Sequence, residues 1–504
     1  MAGIRQALRE LWSASDDARM IQQDGRWYTW ADVRTLTESI DRALAECGAV
    51  EGSRIGVVLG NRIESIAALM ALLGNGRTVV TLNPMQPVAR VATDVATTRP
   101  DVVLAPDELW QSEQFASAVE ELGIDGFALD GGVAPRAKRK SGDEVPQPNR
   151  SADPVAIEMF TSGTTGAPKR VPLTWRQIDA AMSAVHGHVG RSGDPRLPLT
   201  GRVALVTLAI VHIGGMWAVL QALTEARPFV LLPRFTIDGW AGAIEEHKPR
   251  IASLPPAAMR SVLNADVPGE RIGSLRAVTA GTTFVSPELA DEFIGRYGIP
   301  VLIVYGATEF SGAVAGWTKP MHGQWWERKR GSVGRPFPGV RLRVVDESGV
   351  AVARGVTGCL EVCSGQTGSG IDEWVRTSDL AHIDEDEFLF IDGRADDAII
   401  RGGFKVQPEV VANALREHDA VLDATVYGRD DERLGQVPIA VVEFVDGADR
   451  VEETELKAFV RGQLAPYEVP VTIHAVDALP RSVSLKIDRR RLLELVAELE
   501  SSTA

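Results

Sequence analysis

The chain has 504 residues, more than one hydrophobic core usually supports, which predicts two or more domains. Hydrophobic residues make up 45% and charged residues 24%, so the composition is that of a globular protein and excludes a disordered or fibrous chain. The net charge of -15 argues against a nucleic-acid or anionic-membrane surface as the main partner, so any phosphate ligand needs a local basic or backbone-amide site.

The N-terminal segment predicts a surface helix, with Ile4, Leu8, Leu11 and Trp12 on one face and charges throughout, unlike a signal peptide. Residues 203–223 carry no charge and are long enough to span a bilayer. Their β-branched first half and following Gly pair instead indicate a buried strand, a turn and a helix. The sequence therefore predicts no membrane span and a cytoplasmic protein.

Short apolar runs alternate with helical segments from about Arg54 to Tyr305, which predicts mostly parallel sheets covered by helices. Shorter strands after Gly331 (RLRVVD, CLEV and FLFID) indicate a small β-rich subdomain, and the pattern beyond Arg394 is that of a compact α+β domain. The predicted fold is α/β, with a large N-terminal domain at residues 1–394 and a small C-terminal domain at residues 395–504.

The stretch FTSGTTGAPK runs from a buried strand into a loop crowded with Thr, Ser and Gly. Glycine lets backbone amides point inward, hydroxyls add donors and Lys169 supplies charge, so the loop predicts a phosphate site. Pro168 and Arg170 stand where a Walker A loop needs Gly and Ser or Thr, which excludes that motif. The candidate binding residues are Thr161, Ser162, Gly163, Thr164, Thr165, Gly166 and Lys169.

With this loop, the chain resembles the adenylate-forming superfamily of acyl-CoA synthetases, carrier-protein adenylation domains and luciferases, and is most similar to an acyl- or aryl-CoA ligase. Four further motifs follow in the family's order: YGATE at 305–309, RTSDL at 376–380, DGRADDAIIRGGFKVQP at 392–408 and LPRSVSLKIDRRRL at 479–492. The resemblance covers the chain from about Trp27 to Leu492. It implies ATP, Mg²⁺ and coenzyme A as cofactors.

The resemblance also assigns the nucleotide site. It implies that Tyr305 packs on the adenine, that Gly306 belongs to the cofactor site, that Thr308 contacts the α-phosphate and that Glu309 helps to hold Mg²⁺. Attack of a carboxylate on the α-phosphorus builds negative charge, which a metal and fixed donors must neutralise. Asp379 and Arg394 are assigned to the ribose hydroxyls. Gly281 and Thr282 are further candidate cofactor-binding residues.

In the C-terminal region, Asp396 matches the family hinge, about which the small domain is expected to swing between two reaction poses. Lys486 matches the catalytic lysine, whose ammonium bridges carboxylate and α-phosphate in the first half-reaction. Gly402 and Gly403 match glycines that line the pantetheine tunnel. Leu485 and Arg170 replace glycines usual in the family, and further departures from its pattern are Trp175, Ser378 and Val410.

Three segments, IVHIGGMWAV, AGTTFV and TEFSGA, match the family's acid pocket. His212 falls where acyl-CoA synthetases carry an aromatic gate between the acid and the thiol. Apart from Glu309, the pocket segments contain no charged residue, so a hydrophobic monocarboxylic acid is expected as substrate. The predicted pocket residues are Gly214, Gly215, Trp217, Phe284, Phe310 and Gly312.

Three functions remain open at this point. The first is an acid–CoA ligase, which Gly402 and Gly403 favour because a side chain there would block the thiol. The second is a stand-alone enzyme that loads an acyl carrier protein, and the third is an inactive nucleotide-binding relative. The retained motif residues speak against the third. The expected partners are therefore small molecules, with a possible carrier protein, and the chain is expected to be a monomer or a homodimer.

Overall fold

The computed structural model describes residues 3–139, 153–161, 169–189, 197–368, 372–394, 398–401, 404–431, 433–445, 447, 451–482 and 486–503. Packing divides the chain into two units. The first is Met1–Gln324 with Phe337–Gly339 and Ser364–Ile371, and the second is Trp325–Pro336 with Val340–Cys363 and Asp372–Ala504. The domain boundary proposed after Arg394 falls inside the second unit and stays a prediction.

Helices and strands alternate through the first unit. Its first half contains α1 (Ile4–Glu10), β1 (Arg19–Gln23), β2 (Arg26–Thr29), α2 (Trp30–Glu46), β3 (Arg54–Val58), α3 (Ile63–Gly74), β4 (Thr78–Leu82), α4 (Val88–Thr98), β5 (Val102–Ala105), α5 (Asp107–Trp110), α6 (Glu113–Leu122), β6 (Asp125–Leu129) and β7 (Val133–Ala137). Its second half contains β8 (Val155–Thr161), β9 (Lys169–Thr174), α7 (Trp175–His188), β10 (Ala204–Val206), α8 (Ile213–Thr224), β11 (Phe229–Leu231), α9 (Ile237–His247), β12 (Ile251–Ser253), α10 (Pro256–Asn264), α11 (Gly269–Ile272), β13 (Ala277–Ala280), α12 (Pro287–Tyr297), β14 (Val301–Ala307), β15 (Gly312–Gly316) and α13 (Lys319–Trp325).

A seven-stranded sheet in the order β7-β6-β5-β3-β4-β8-β9 forms the largest layer of this unit. Its five inner strands are parallel, and the outer pairs β6–β7 and β8–β9 are antiparallel. Every residue of β4 is buried, as expected for a strand with helices on both faces of its sheet. The predicted parallel α/β arrangement is confirmed.

Two smaller sheets complete the first unit. One has the order β10-β11-β1-β2, and the other runs β12-β13-β14-β15 with its first three strands parallel. The uncharged stretch 203–223 folds as the short strand β10, a turn and the helix α8, as predicted. In the described parts of the chain, no helix is both long and apolar enough to cross a membrane.

The N-terminal helix differs from its prediction at one position. Ile4, Leu8 and Leu11 are buried in the main core, whereas Trp12 is 43% exposed. The α-helix ends at Glu10, and the tighter 3₁₀ turn Leu11–Ser13 that follows rotates Trp12 away from the face shared by the other three. Its ring instead packs against Trp30 in a T-shaped arrangement, with the two ring centroids 5.2 Å apart.

The described residues of the second unit form two sheets. Its elements are β16 (Arg335–Pro336), β17 (Arg341–Val345), β18 (Gly358–Cys363), β19 (Val375–Ile383), β20 (Leu389–Arg394), β21 (Ile399–Arg401), β22 (Phe404–Val406), α14 (Pro408–Arg416), β23 (Val421–Asp431), β24 (Gly435–Phe444), α15 (Glu453–Arg461), β25 (Thr472–Val476) and α16 (Arg489–Thr503). The strands β17-β18-β19-β20 form an antiparallel meander. The second sheet has the order β22-β21-β24-β23, with β25 parallel to β24. These are the β-rich subdomain and the α+β region predicted from the sequence.

Candidate active site

The predicted phosphate loop joins β8 to β9, two antiparallel neighbours in which Thr161 lies opposite Lys169. Because β8 runs parallel to β4, the loop leaves the seven-stranded sheet at its carboxyl edge, where ligands of α/β proteins bind. Only the backbone positions of Thr161 and Lys169 are described. The rest of the predicted loop lies outside the described residues: Ser162, Gly163, Thr164, Thr165 and Gly166.

Arg170, which replaces a glycine usual in the family, belongs to a charge cluster beside this loop. Its guanidinium contacts Glu158 on the neighbouring strand. Glu158 also accepts hydrogen bonds of 2.8 and 2.9 Å from Arg54. Burial and the nearby Arg54 lower the pKa of Arg170. The ion pair between Arg170 and Glu158 therefore links β9 to β8 at the residue that follows Lys169.

The YGATE motif ends β14 and enters a tight turn. Tyr305 and Gly306 are strand residues, whereas Thr308 and Glu309 lie in the 3₁₀ turn Thr308–Phe310. A side chain at Gly306 would overlap the carbonyl oxygen of Gly312 on β15, so only glycine allows this close pairing. Thr308 is half-buried and Glu309 is exposed. The turn presents a hydroxyl and a carboxylate beyond the end of the strand.

The predicted nucleotide residues Gly281 and Thr282 lie beside this turn. They follow β13, the parallel neighbour of β14, in which Ala280 pairs with Ile303. A Cβ at Gly281 would lie 2.8 Å from Val304 Cγ2 and 3.0 Å from Val304 O, which a larger residue could not tolerate unchanged. The structure therefore brings these two predicted nucleotide-binding segments together at the carboxyl edge of one sheet.

The helix α8 begins next to these strand ends. A Cβ at Gly214 would lie 3.1 Å from Leu208 Cδ1 and 3.7 Å from Thr282 Cγ2. A side chain at Gly215 would overlap the carbonyl group of Ala209, so the first turn of α8 packs directly on backbone. The first two predicted acid-pocket segments are therefore in contact.

The third pocket segment meets α8 through a tryptophan. Trp217 Nε1 lies against Gly312, where any Cβ would overlap it, and Gly312 has a φ of +130° that favours glycine. The indole nitrogen is buried and has no hydrogen-bond partner among the described residues. Van der Waals packing, rather than a hydrogen bond of this nitrogen, therefore holds the ring in place. Phe310 is 3% exposed, whereas Phe284 is half-buried. All three pocket segments thus converge on one region.

His212, the proposed gate, is the residue that precedes the first turn of α8. Its backbone N–H donates to Ala209 O at 3.0 Å, and its carbonyl accepts from Met216 N at 2.9 Å. The imidazole is half-buried. His212 therefore stands at the same helix end as Gly214 and Gly215, and its role as a gate remains a prediction.

Sequence reasoning missed a buried glutamine that fixes the pocket turn. The Gln366 side chain is fully buried, and its Nε2 donates to Phe310 O at 3.2 Å and to Ala313 O at 3.0 Å. The backbone carbonyl of Gln366 accepts a hydrogen bond from Gln177 Nε2 at 3.1 Å. These contacts hold both ends of the turn that contains Gly312. Nothing in the local pattern SGQTG marks this role, because both partners are distant in sequence.

In the second unit, the two residues predicted to bind the ribose are opposite each other on neighbouring strands. Asp379 on β19 pairs with Arg394 on β20, the last residue of its strand. Arg394 Nη2 donates to Ser378 Oγ at 2.6 Å. Ser378 stands where the family usually has glycine, and its hydroxyl orients the guanidinium. This contact is a second feature that the sequence did not predict.

The remaining predicted residues lie in the C-terminal part of the chain. Lys486 is exposed, and its carbonyl accepts a hydrogen bond of 2.7 Å from Ser482 N. Glu409, next to the departure Val410, binds Arg416 at 2.6 Å. Four predicted positions lie outside the described residues: Asp396, Gly402, Gly403 and Leu485.

The residues at the end of β14 fit a divalent cation that arrives with a nucleotide. Glu309 offers an exposed carboxylate, and Mg²⁺ is commonly held by one or two carboxylates together with substrate phosphates and water. In the described residues, no group of three or more His, Cys, Asp and Glu side chains could hold a metal alone. A metal at Glu309 would therefore need oxygen ligands from the substrate.

Comparison with known proteins agrees with the geometry. Residues 9–371 match the AMP-binding enzyme family, and residues 411–486 match the AMP-binding enzyme C-terminal domain. The indoleacetate–CoA ligase of Aromatoleum aromaticum is 30% identical over 494 residues, which cover 93% of each chain. The 4-coumarate–CoA ligase 2 of Oryza sativa subsp. japonica is 29% identical over 506 residues, covering 93% of this chain and 87% of that protein.

The fold has a solved counterpart in ATP-bound MatB from Rhodopseudomonas palustris. The two structures superpose with a TM-score of 0.83 over 99% of this chain and 100% of MatB, at 22% sequence identity. At this level of sequence identity, the likeness shows the fold alone.

Proposed function

Since this chain belongs to the AMP-binding enzyme family, we propose that it is an ATP-dependent acid–CoA ligase acting on a hydrophobic monocarboxylic acid. In the first half-reaction, a carboxylate oxygen attacks the α-phosphorus of ATP, the bond to pyrophosphate breaks and acyl-AMP forms. In the second, the deprotonated sulfur of CoA attacks the acyl carbon and AMP leaves. Both named relatives are ligases of acids that carry an aromatic ring.

The proposal is supported most by the meeting of a polar and an apolar surface at the ends of β13 and β14. Thr282 and Glu309 are exposed on the polar side. Trp217 packs against Gly312 on the apolar side. A carboxylate at this border would have its apolar body in the pocket and its charged end toward the phosphates. Bound Mg²⁺ would offset the charge that develops at the α-phosphate.

Release of pyrophosphate from ATP across a panel of acids tests this function. We expect release only when a hydrophobic acid is present, and acyl-AMP of the matching mass should be trapped when the thiol is left out. Addition of CoA or of an acyl carrier protein then identifies the acceptor. If ATP binds but no acid stimulates release, the chain is an inactive relative instead.

The acid specificity is expected to follow apolar size. Each buried CH₂ contributes roughly 0.8 kcal/mol, so kcat/KM should rise about fourfold per added methylene until the pocket is full. Benzoate-like, cyclic and octanoate-like acids should therefore exceed acetate. Dicarboxylates and amino acids should be rejected, because a second charge would be buried unpaired. A preference for acetate or any amino acid in the same assay contradicts this pocket assignment.

The hinge assignment predicts that Asp396→Pro separates the two half-reactions. Proline fixes φ near -65° and restricts the rotation that the second pose needs. A destabilisation of the thioester-forming pose by about 1.4 kcal/mol makes this pose about ten times less populated. Acyl-CoA formation is then expected to fall about tenfold. Acyl-AMP should still form at the wild-type rate, measured as pyrophosphate release. Unimpaired acyl-CoA production in this variant would refute the hinge assignment.

A further inference from the structure

Two backbone hydrogen bonds join residues 480–482 to residues 486–488, the segment that begins with Lys486. Ser482 N donates to Lys486 O at 2.7 Å, and Asp488 N donates to Pro480 O at 2.8 Å. These bonds hold Pro480 and Ser482 beside Lys486 and Asp488, and we call residues 480–482 and 486–488 the Lys486 loop. The carbonyl of Asp488 then accepts from Leu492 N at 2.9 Å as α16 begins. The Lys486 side chain is exposed. These backbone bonds lie within the Lys486 loop. They do not by themselves fix the orientation of this loop relative to the sheet that contains β23.

Arg481 attaches this loop to that sheet. Its backbone forms an antiparallel bridge with Ile487, and its Nη2 donates to the carboxylate of Asp423 on β23. The Arg481 side chain is 27% exposed and the Asp423 side chain 22%. Partly buried charges are screened less by salt and water than surface charges. The pair is therefore a stronger attachment than an ordinary surface ion pair.

Asp423 is itself held in place by a second arginine. Arg416, the last residue of α14, donates from Nε to Asp423 Oδ1 at 2.8 Å and from Nη2 to Ala424 O at 2.7 Å. Its Nη1 donates to Glu409 Oε1 at 2.6 Å in the first turn of the same helix. Burial raises the pKa of Asp423, but Arg416 and Arg481 outweigh it and hold the pKa below its ordinary value. The carboxylate therefore stays charged.

We propose that Arg481 is a positioning residue, which acts through Asp423 and Arg416 to set the direction of the Lys486 loop. The inference rests on the proposed function, since Lys486 acts there on the acid and the α-phosphate. A charged side chain stabilises a transition state only when it lies close to the developing charge. A misplacement of about 1 Å can lower the rate about a hundredfold. Arg481 is five residues from Lys486 and its backbone is bridged to Ile487, so its contact with Asp423 links the position of Lys486 to β23.

The test compares Arg481→Ala and Arg481→Lys in the two half-reactions. We expect Arg481→Ala to lower acyl-AMP formation about ten- to a hundredfold. Thioester formation from supplied acyl-AMP should change less than about twofold. Arg481→Lys, which keeps the charge, should recover part of the loss. The matched control is Arg429→Ala, which removes a 2.7 Å contact with Glu500 from the same strand as Asp423 and should behave as wild type.

Hydrogen exchange separates positioning from general stability. In Arg481→Ala, the amides of Ser482 and Asp488 should exchange faster while those of β23 and β24 stay protected. Equal losses in both half-reactions with faster exchange throughout the second unit, or wild-type behaviour in both measurements, would overturn the proposal. If the wild-type chain forms no acyl-AMP with any acid, the proposed function fails, and the exchange of these two amides still decides whether Arg481 orders the loop.

Discussion

Replacing Lys486 by alanine should lower the rate of acyl-AMP formation about a hundred- to a thousandfold. In the proposed mechanism, the ammonium group of Lys486 bridges the attacking carboxylate and the α-phosphate while negative charge develops, so its removal acts on this step. Once acyl-AMP has formed, the developing negative charge that Lys486 is proposed to stabilise is gone. Acyl transfer from supplied acyl-AMP to CoA should therefore proceed near the wild-type rate.

Two variants control for the loss of a positive charge. Arg490→Ala removes an arginine that is 75% exposed four positions along the chain, where it contacts Glu494 at 3.5 Å. This variant should retain wild-type rates in both half-reactions. Lys486→Arg keeps the charge but changes its reach and geometry, so it should fall between wild type and Lys486→Ala. Equal losses of Lys486→Ala in both half-reactions would contradict a role confined to adenylation.

The sequence predicted the parallel sheets well because their strands are buried on both faces and read as continuous apolar runs. It did not predict β19, whose sequence VRTSDLAHI is half-buried along most of its length and has no apolar run. This strand places Asp379 opposite Arg394 in the register with β20. The family motifs identified both residues, but their pairing depends on a strand that periodicity alone does not reveal.

The sequence could not predict the contacts that support the site. Gln366 reaches Phe310 across 56 positions, and Arg481 reaches Asp423 across 58. Such partners meet only after the topology is formed, so neither spacing nor local propensity indicates them. The same holds for Ser378, which looks like a simple departure from glycine until its hydroxyl is seen beside Arg394. The sequence motifs therefore predict the reacting side chains. The side chains that position them are recognised only from the folded structure.

Replacing Gly312 by alanine should lower kcat/KM for the acid about a hundredfold, with a larger rise in KM for the acid than for ATP. The φ of +130° disfavours any side chain, and the added Cβ would overlap Trp217 Nε1. Backbone strain and overpacking each cost of order 1–3 kcal/mol, and a combined cost of about 3 kcal/mol corresponds to about two factors of ten. Steady-state adenylation kinetics with a hydrophobic acid measure the effect.

Two further variants show whether the contact with Trp217 causes this loss. Gly25→Ala adds a side chain at a φ of +77° with no atom within 4 Å, so it carries backbone strain without overlap and should keep wild-type kinetics. Trp217→Ala combined with Gly312→Ala removes the overlap and should recover about tenfold of the loss, because the strain alone then remains. Wild-type KM for the acid in Gly312→Ala, or no recovery in the double variant, would show that Trp217 and Gly312 do not shape the acid pocket together. The indole would then be ordinary core packing, and the acid would bind elsewhere along the carboxyl edge of the sheet.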